Sequence, residues 1–397
     1  MHGKLVRTAA RAVAVGAILA AGLGSAQEAQ AASAVVHVPC NPATLAADVA
    51  SASSGARLSL APSCVYHLTA GLPVVSQDLT ISGNRATLER SYAPGTPAFT
   101  ILQAGGGALT VSKLNFRNGN GAIAVTGDAT LTVKGGTFAR NMAGNGGAIY
   151  DVGGVNGPQV NGATFTANTA TESGGAIYDN TGMNGVQVTD STFTGNTATN
   201  AGGAISDFDG SNDDVTSSVF YGNKAGDGGA LALSPSDTTS LSRVVVQGNS
   251  ATGNGGGISS ADSLNVENSR ISGNHAGGLG GGLFTFLGRR TTIAGTDFRG
   301  NSAADGGGIY NATAGFTMNL TNVRISGNHV SASGGGVYNL GLVDAVNTRI
   351  TGNSASTGGG GIYDSGIYAA VTLTNSPVLH NRPDNCEPAG SITGCTG

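Results

Sequence analysis

The 397-residue chain has no tryptophan, only 11 % charged residues and only four cysteines. Each shortage removes a class of protein. With a formal net charge of −4 and no basic cluster, nothing marks out a nucleic-acid or anionic-membrane partner. No Cys/His spacing resembles a zinc site, so no metal centre is expected. Proline is scarce at 11 residues, and the 67 glycines, more than twice the usual share of about 7 %, show no period of three. Collagen is thereby excluded. No apolar run after residue 31 is long enough for a membrane-spanning helix. Disorder does not fit either, because hydrophobic residues reach 39 % and recur in fixed columns.

The chain opens as an export signal. Lys4, Arg7 and Arg11 precede a short apolar run from Ala12 to Gly22, and Ala29-Gln30-Ala31 is a small-x-small cleavage site, so residues 1–31 read as a signal peptide and the product as secreted. All four cysteines lie beyond it. Of the three pairings that four cysteines allow, the local one is expected, with Cys40 to Cys64 and Cys386 to Cys395 stapling the two ends. Asn41-Pro42 followed by TLAADVASAS has the form of an N-cap, a proline at the first helical position and a short helix. The expected organisation is an N-terminal cap over 32–75, a repeat domain over 76–382 and a tail over 383–397.

The repeat dominates what is present. FARNMAGNGGAIYD at Phe138 returns as FTANTATESGGAIYD at Phe165, FTGNTATNAGGAISD at Phe193, FYGNKAGDGGAL at Phe220 and FRGNSAADGGGIY at Phe298. Aligned on one asparagine per unit, the positions are Asn141, Asn168, Asn196, Asn223, Asn249, Asn274, Asn301, Asn328, Asn353 and Asn381. An apolar residue sits eight before each asparagine (Val133, Val160, Val188), another three before it (Phe138, Phe165, Phe193) and a third eight or nine after it (Ile149, Ile177, Ile205). Two after it comes alanine, replaced late in the chain by Val330 and Pro383. Three short apolar strands separated by turn residues cannot bury themselves within one unit. The units must stack in parallel, which predicts an all-β parallel β-helix with the columns facing one continuous core.

Stacking also accounts for the low charge, since a column of like charges about 5 Å apart repels itself. Arg270, Asp297, Arg324 and Arg349 share one column and are expected to form a salt-bridge ladder. The asparagines are expected to hydrogen-bond along the stack as an amide ladder at a turn.

Alternating F-x-x-N and G-G-A-I tetrapeptides, seen here as FARN, FTAN, FTGN, FYGN and FRGN with GGAI at Gly146, Gly174 and Gly202, resemble the repeats of chlamydial polymorphic outer membrane proteins. More broadly, they resemble secreted parallel β-helix proteins of the pectin-lyase-like class. The resemblance spans about residues 138–362 and implies right-handed winding and an adhesive role at the cell exterior. It also brings in polysaccharide lyases and hydrolases that act on acidic polysaccharides, as the alternative to a binding protein.

Such chemistry needs paired carboxylates in a groove. The best acidic column is Asp151, Asp179 and Asp207, which continues as Leu233, Ser260, Thr285, Asn311, Asn339 and Asp364. Asp, Asn, Ser and Thr at a strand end also make local turns, which explains the column without a substrate. No catalytic residue and no cofactor is assigned, calcium being the one ion this column could take up. Beside it runs an aromatic column with Tyr150, Tyr178, Tyr310, Tyr338 and Tyr363, together with Phe284. The expected protein is a secreted monomer whose Tyr/Asp edge contacts an extracellular glycan or surface protein, with Tyr150, Asp151, Tyr178, Asp179, Asp207, Tyr310, Tyr338 and Tyr363 as ligand-binding candidates.

Overall fold

A computed structural model describes residues 34–395 except 155, 183, 210, 211, 234–237, 262, 288, 289, 314, 367 and 368. The segment read as a signal peptide lies outside the described residues. From Val35 onward the chain winds as a parallel β-helix, every strand pairing in parallel with the equivalent strand one coil away.

One coil shows how the sequence does this. Among the described residues, Thr130–Lys134 joins a 14-stranded first sheet, Thr137–Ala139 a 13-stranded second sheet, and Ile149–Val152 a 12-stranded fourth sheet. Between the last two lies Met142–Ala143, part of an eight-stranded third sheet. Four strands per coil therefore replace the three expected. The alanine column is the buried side of the extra sheet, where Ala170, Ala198 and Ala225 form a small cluster of their own. Small apolar side chains fill this face, alanine in most coils and the equally buried Val330 in one.

Within each strand the pleat sends alternate residues inward. Phe116, Phe138, Phe165, Phe193 and Phe220 are fully enclosed and stack at centroid distances of 4.7 to 5.0 Å. The corners explain the glycine content. Gly195, at φ +62°, turns the chain just before Asn196 in the left-handed region that glycine enters without strain. Gly147 serves closeness instead, since a Cβ there would collide with the carbonyl of Gly175 in the next coil.

The asparagine column forms the expected amide ladder, inside the wall. Asn168 donates from Nδ2 to Asn196 Oδ1 at 2.9 Å and to the Phe138 carbonyl at 2.9 Å, and its backbone N–H reaches the same Oδ1 at 3.0 Å. The pattern runs from Asn141 to Asn381, which ends on Asn385. Each corner thus satisfies its buried polar groups with the next coil's side chain.

The salt-bridge ladder does not form. Arg270, Asp297, Arg324 and Arg349 do lie in successive register. Among the described residues, however, the ion pairs are those of Glu89, with Arg117 at 2.7 Å and His67 at 3.6 Å. The three ladder arginines are exposed, and water competes for long flexible cations on an open wall.

The ends are treated differently. Val35–Val38 pairs with Ala56–Leu60, so the stack already begins inside the segment read as a cap. Between them the helix Pro42–Ser51 packs Leu45 and Val49 over the open core, and the Asn41 side chain accepts the N–H groups of Ala43 and Thr44. Cys40 bonds to Cys64 and Cys386 to Cys395, the local pairing. No helix among the described residues is long and apolar enough to cross a membrane.

Candidate functional site

The fourth sheet carries all eight candidate side chains, but on two opposite faces. In Ile149–Val152, Ile149 and Asp151 point inward and Tyr150 lies on the outer face between them. The same alternation holds in Ile177–Asn180. Tyrosines and aspartates therefore do not share one contact edge. Asp151, Asp179 and Asp207 are enclosed in the wall, at 0 %, 0 % and 2 % exposure, which corrects the expectation that they face a partner.

Enclosure changes their acidity. Burial pushes the Asp151 carboxyl up to about 7, and among the described residues neither of its oxygens has a hydrogen-bond partner. Asp179 is pushed up to about 9, by burial first and then by the charges of Asp207 and Asp151. Its Oδ2 accepts the Thr181 hydroxyl at 3.0 Å. Asp213, beyond the same corner, is also buried; burial and neighbouring Asp207 raise it well above the usual carboxylate range. It accepts the Val186 N–H at 2.8 Å and the Thr239 hydroxyl at 3.2 Å. A row of carboxylates at strand spacing inside a wall cannot all ionise, so protons hold it together. Among the described residues no group of His, Cys, Asp or Glu is arranged to hold a metal ion.

Further along, from Thr285 to Asp364, the same column is mostly neutral and its side chains are hydrogen-bonded to one another. The Thr285 hydroxyl donates to Asn311 Oδ1 at 3.3 Å, Asn311 to Asn339 at 2.8 Å, and Asn339 to Asp364 at 3.2 Å. Asn339 also closes its own turn through Gly341. Turn chemistry therefore runs through this half of the column.

On the outer face the aromatic column divides in two. Tyr150 and Tyr178 stack at 5.8 Å. Ser206, Ala232 and Ser259 then interrupt it, and the second run is Phe284, Tyr310, Tyr338 and Tyr363, with spacings of 5.7, 4.7 and 4.8 Å. Stacking covers its first members, since Phe284 and Tyr310 are each only 8 % exposed. Burial, then the neighbouring Tyr338 and Asp305, pushes the Tyr310 hydroxyl up to about 12. Tyr150, Tyr178, Tyr338 and Tyr363 stay partly open.

Tyr150 has a feature that its column position alone did not reveal. Its neighbour on the preceding coil is Ala124, so one ring face is left without a stacking partner. A cavity of about 300 Å³ opens there, lined by Thr100, Asn120, Gly121, Ala143 and Asn145 besides Ala124 and Tyr150. The signal for it in the sequence was the change from alanine to tyrosine at one column position.

Comparison with known proteins agrees with this architecture. The Chlamydia polymorphic membrane protein repeat matches residues 162–180, 190–206, 243–261 and 347–365. Each segment contains a ladder asparagine (168, 196, 249 and 353) and reaches a fourth-sheet strand at its C-terminal end. No curated protein and no solved structure matches the chain. The chain is a β-helix protein with repeats of the polymorphic-membrane-protein type.

Proposed function

We propose that this chain is a secreted adhesive or structural β-helix that contacts an extracellular glycan through the outer tyrosines of the fourth sheet. The observation that carries the reading is the uncovered face of Tyr150 above its cavity of about 300 Å³. A sugar ring placed there would continue the Tyr150–Tyr178 stack, while Thr100, Asn120 and Asn145 offer polar groups to its hydroxyls. Partly open Tyr338 and Tyr363 would supply a second patch on the same face. The match to repeats of Chlamydia polymorphic membrane proteins and the sequence of residues 1–31, read as an export signal, support action at the cell exterior.

The lyase or hydrolase alternative finds no support in this geometry. Its best carboxylates, Asp151, Asp179 and Asp207, are enclosed in the wall, where no polymer reaches them. The test is a glycan-array screen of the intact protein beside Tyr150→Ala, Tyr178→Ala and the double variant, each checked for native circular dichroism. Loss of at least tenfold in apparent affinity is expected for the double variant. Unchanged binding would remove the tyrosines from the contact face.

A further inference from the structure

A second cavity, of about 360 Å³, lies across Asn120 from the first and has a different chemistry. Arg90, Tyr92, Ala98, Arg140 and Met142 line it over a floor of Asn118 and Gly119. The structure assigns to it an acidic peptide segment of a partner protein, an apolar side chain flanked by carboxylates.

Two arginines line this cavity in a chain that is only 11 % charged. Arg90 is held in place by one bond, from Nε to the Asn118 carbonyl at 2.8 Å, which leaves its two terminal nitrogens without a protein partner among the described residues. Arg140 is exposed and has no side-chain partner among them. Glu89, the acid on the neighbouring strand position, does not neutralise them. Its oxygens are taken up by Arg117 at 2.7 Å and by the Asn118 amide at 2.6 Å. The cavity therefore presents uncompensated positive charge in the fork geometry that carboxylates match.

The rim points to a peptide rather than a sugar acid. Met142 is 55 % exposed and Tyr92 71 %. The position of Met142 is occupied in later coils by Thr169, Thr197, Lys224, Ser250, His275, Ser302 and His329. Among the described residues of this column, only Met142 is apolar. Tyr, Met and Arg together are the residues enriched where proteins meet, and methionine adapts its shape to an apolar partner. The assignment does not rest on the tyrosine row, because no residue of that row lines this cavity.

Titration of the full chain with a blocked Glu-Leu-Glu peptide, its Gln-Leu-Gln counterpart and glucuronate separates the readings. The acidic peptide should bind at least tenfold more tightly than the glutamine peptide, and weaken as salt rises from 0.05 to 0.5 M, values chosen to span the screening range. Arg140→Gln should weaken it at least tenfold and Met142→Thr at least threefold. The Arg140 side chain is exposed and makes no bond among the described residues, and a glutamine keeps the backbone N–H that Arg140 donates to the Thr166 carbonyl, so this variant keeps the fold even where Arg90→Gln does not. No binding of the acidic peptide at millimolar concentration, equal binding of the glutamine peptide, or an unchanged Arg140→Gln would overturn the assignment. Tighter binding of glucuronate than of the peptide would overturn it in favour of a sugar acid.

Discussion

Asn196 holds both the backbone N–H and the side-chain amide of Asn168 on a single oxygen, at 3.0 and 2.9 Å. Its own amide passes on to Asn223 Oδ1 at 3.0 Å and to the Phe165 carbonyl at 3.1 Å. Truncation to alanine would leave two donors and a carbonyl buried without partners, at about 1–3 kcal/mol each. Asn196→Ala is therefore expected to cost about 3–5 kcal/mol. Because coils contact only their neighbours, the damage should be local. Amide exchange should accelerate in the coils around Asn168 to Asn223 and stay slow near Asn328. Uniform acceleration along the chain would contradict a rung-by-rung ladder.

The ladder was legible in the sequence because its spacing never leaves 25–28 residues and its residue type never changes. The same regularity gave the parallel stack and the enclosed Phe138, Phe165 and Phe193 column. Two features were harder to read. Met142–Ala143 is too short for a periodicity signal, so its sheet shows only through cross-coil pairing. The chemistry of Asp151 points to the surface, whereas the two-residue alternation from Ile149 sends it inward. Glu89 and Arg117, 28 positions apart, lie in coils without the repeat motif, where no column aligns them.

Buried carboxylates give the fold an unusual response to pH. Asp151 and Asp179 bind their protons more tightly folded, at about 7 and about 9, than at the unperturbed 3.8. Their stabilisation is complete below about pH 4 and is lost as pH rises through the folded values, since the native state then binds the extra protons. At Asp151 the difference between 3.8 and about 7 corresponds to about 4 kcal/mol. The melting temperature should therefore fall between about pH 5 and pH 9. Asp179→Asn, which keeps a neutral side chain of the same shape, should flatten that fall and be more stable than the parent at pH 9. A parent curve that rises over this range would contradict protonation of the row.

The N-terminal disulfide closes a loop of 24 residues and the C-terminal one a loop of 9. Chain-entropy arguments give the former about 3 kcal/mol and the latter somewhat less. Cys40→Ala with Cys64→Ala should loosen the Pro42–Ser51 helix and the Val35–Val38 strand first. Exchange at Val35 to Val38 should quicken several-fold while the coils between Asn196 and Asn301 keep their protection. Loss of cooperative folding across the whole chain would show that the cap nucleates the stack rather than closing it.

Ala124 offers the sharpest separation of stability from binding. It sits in register with Tyr150, and its small side chain is what leaves that ring face open. Ala124→Tyr would extend the Tyr150–Tyr178 stack by one ring, adding about 0.5–1.5 kcal/mol of aromatic contact beyond the area buried. The same ring would occupy the cavity of about 300 Å³. If the cavity is where a sugar stacks, this variant is more stable than the parent and yet loses glycan affinity at least tenfold. A merely structural tyrosine row predicts the first result without the second. Thermal melting and the glycan screen on one preparation decide between them, because a stabilised protein that has lost its ligand cannot be explained by unfolding.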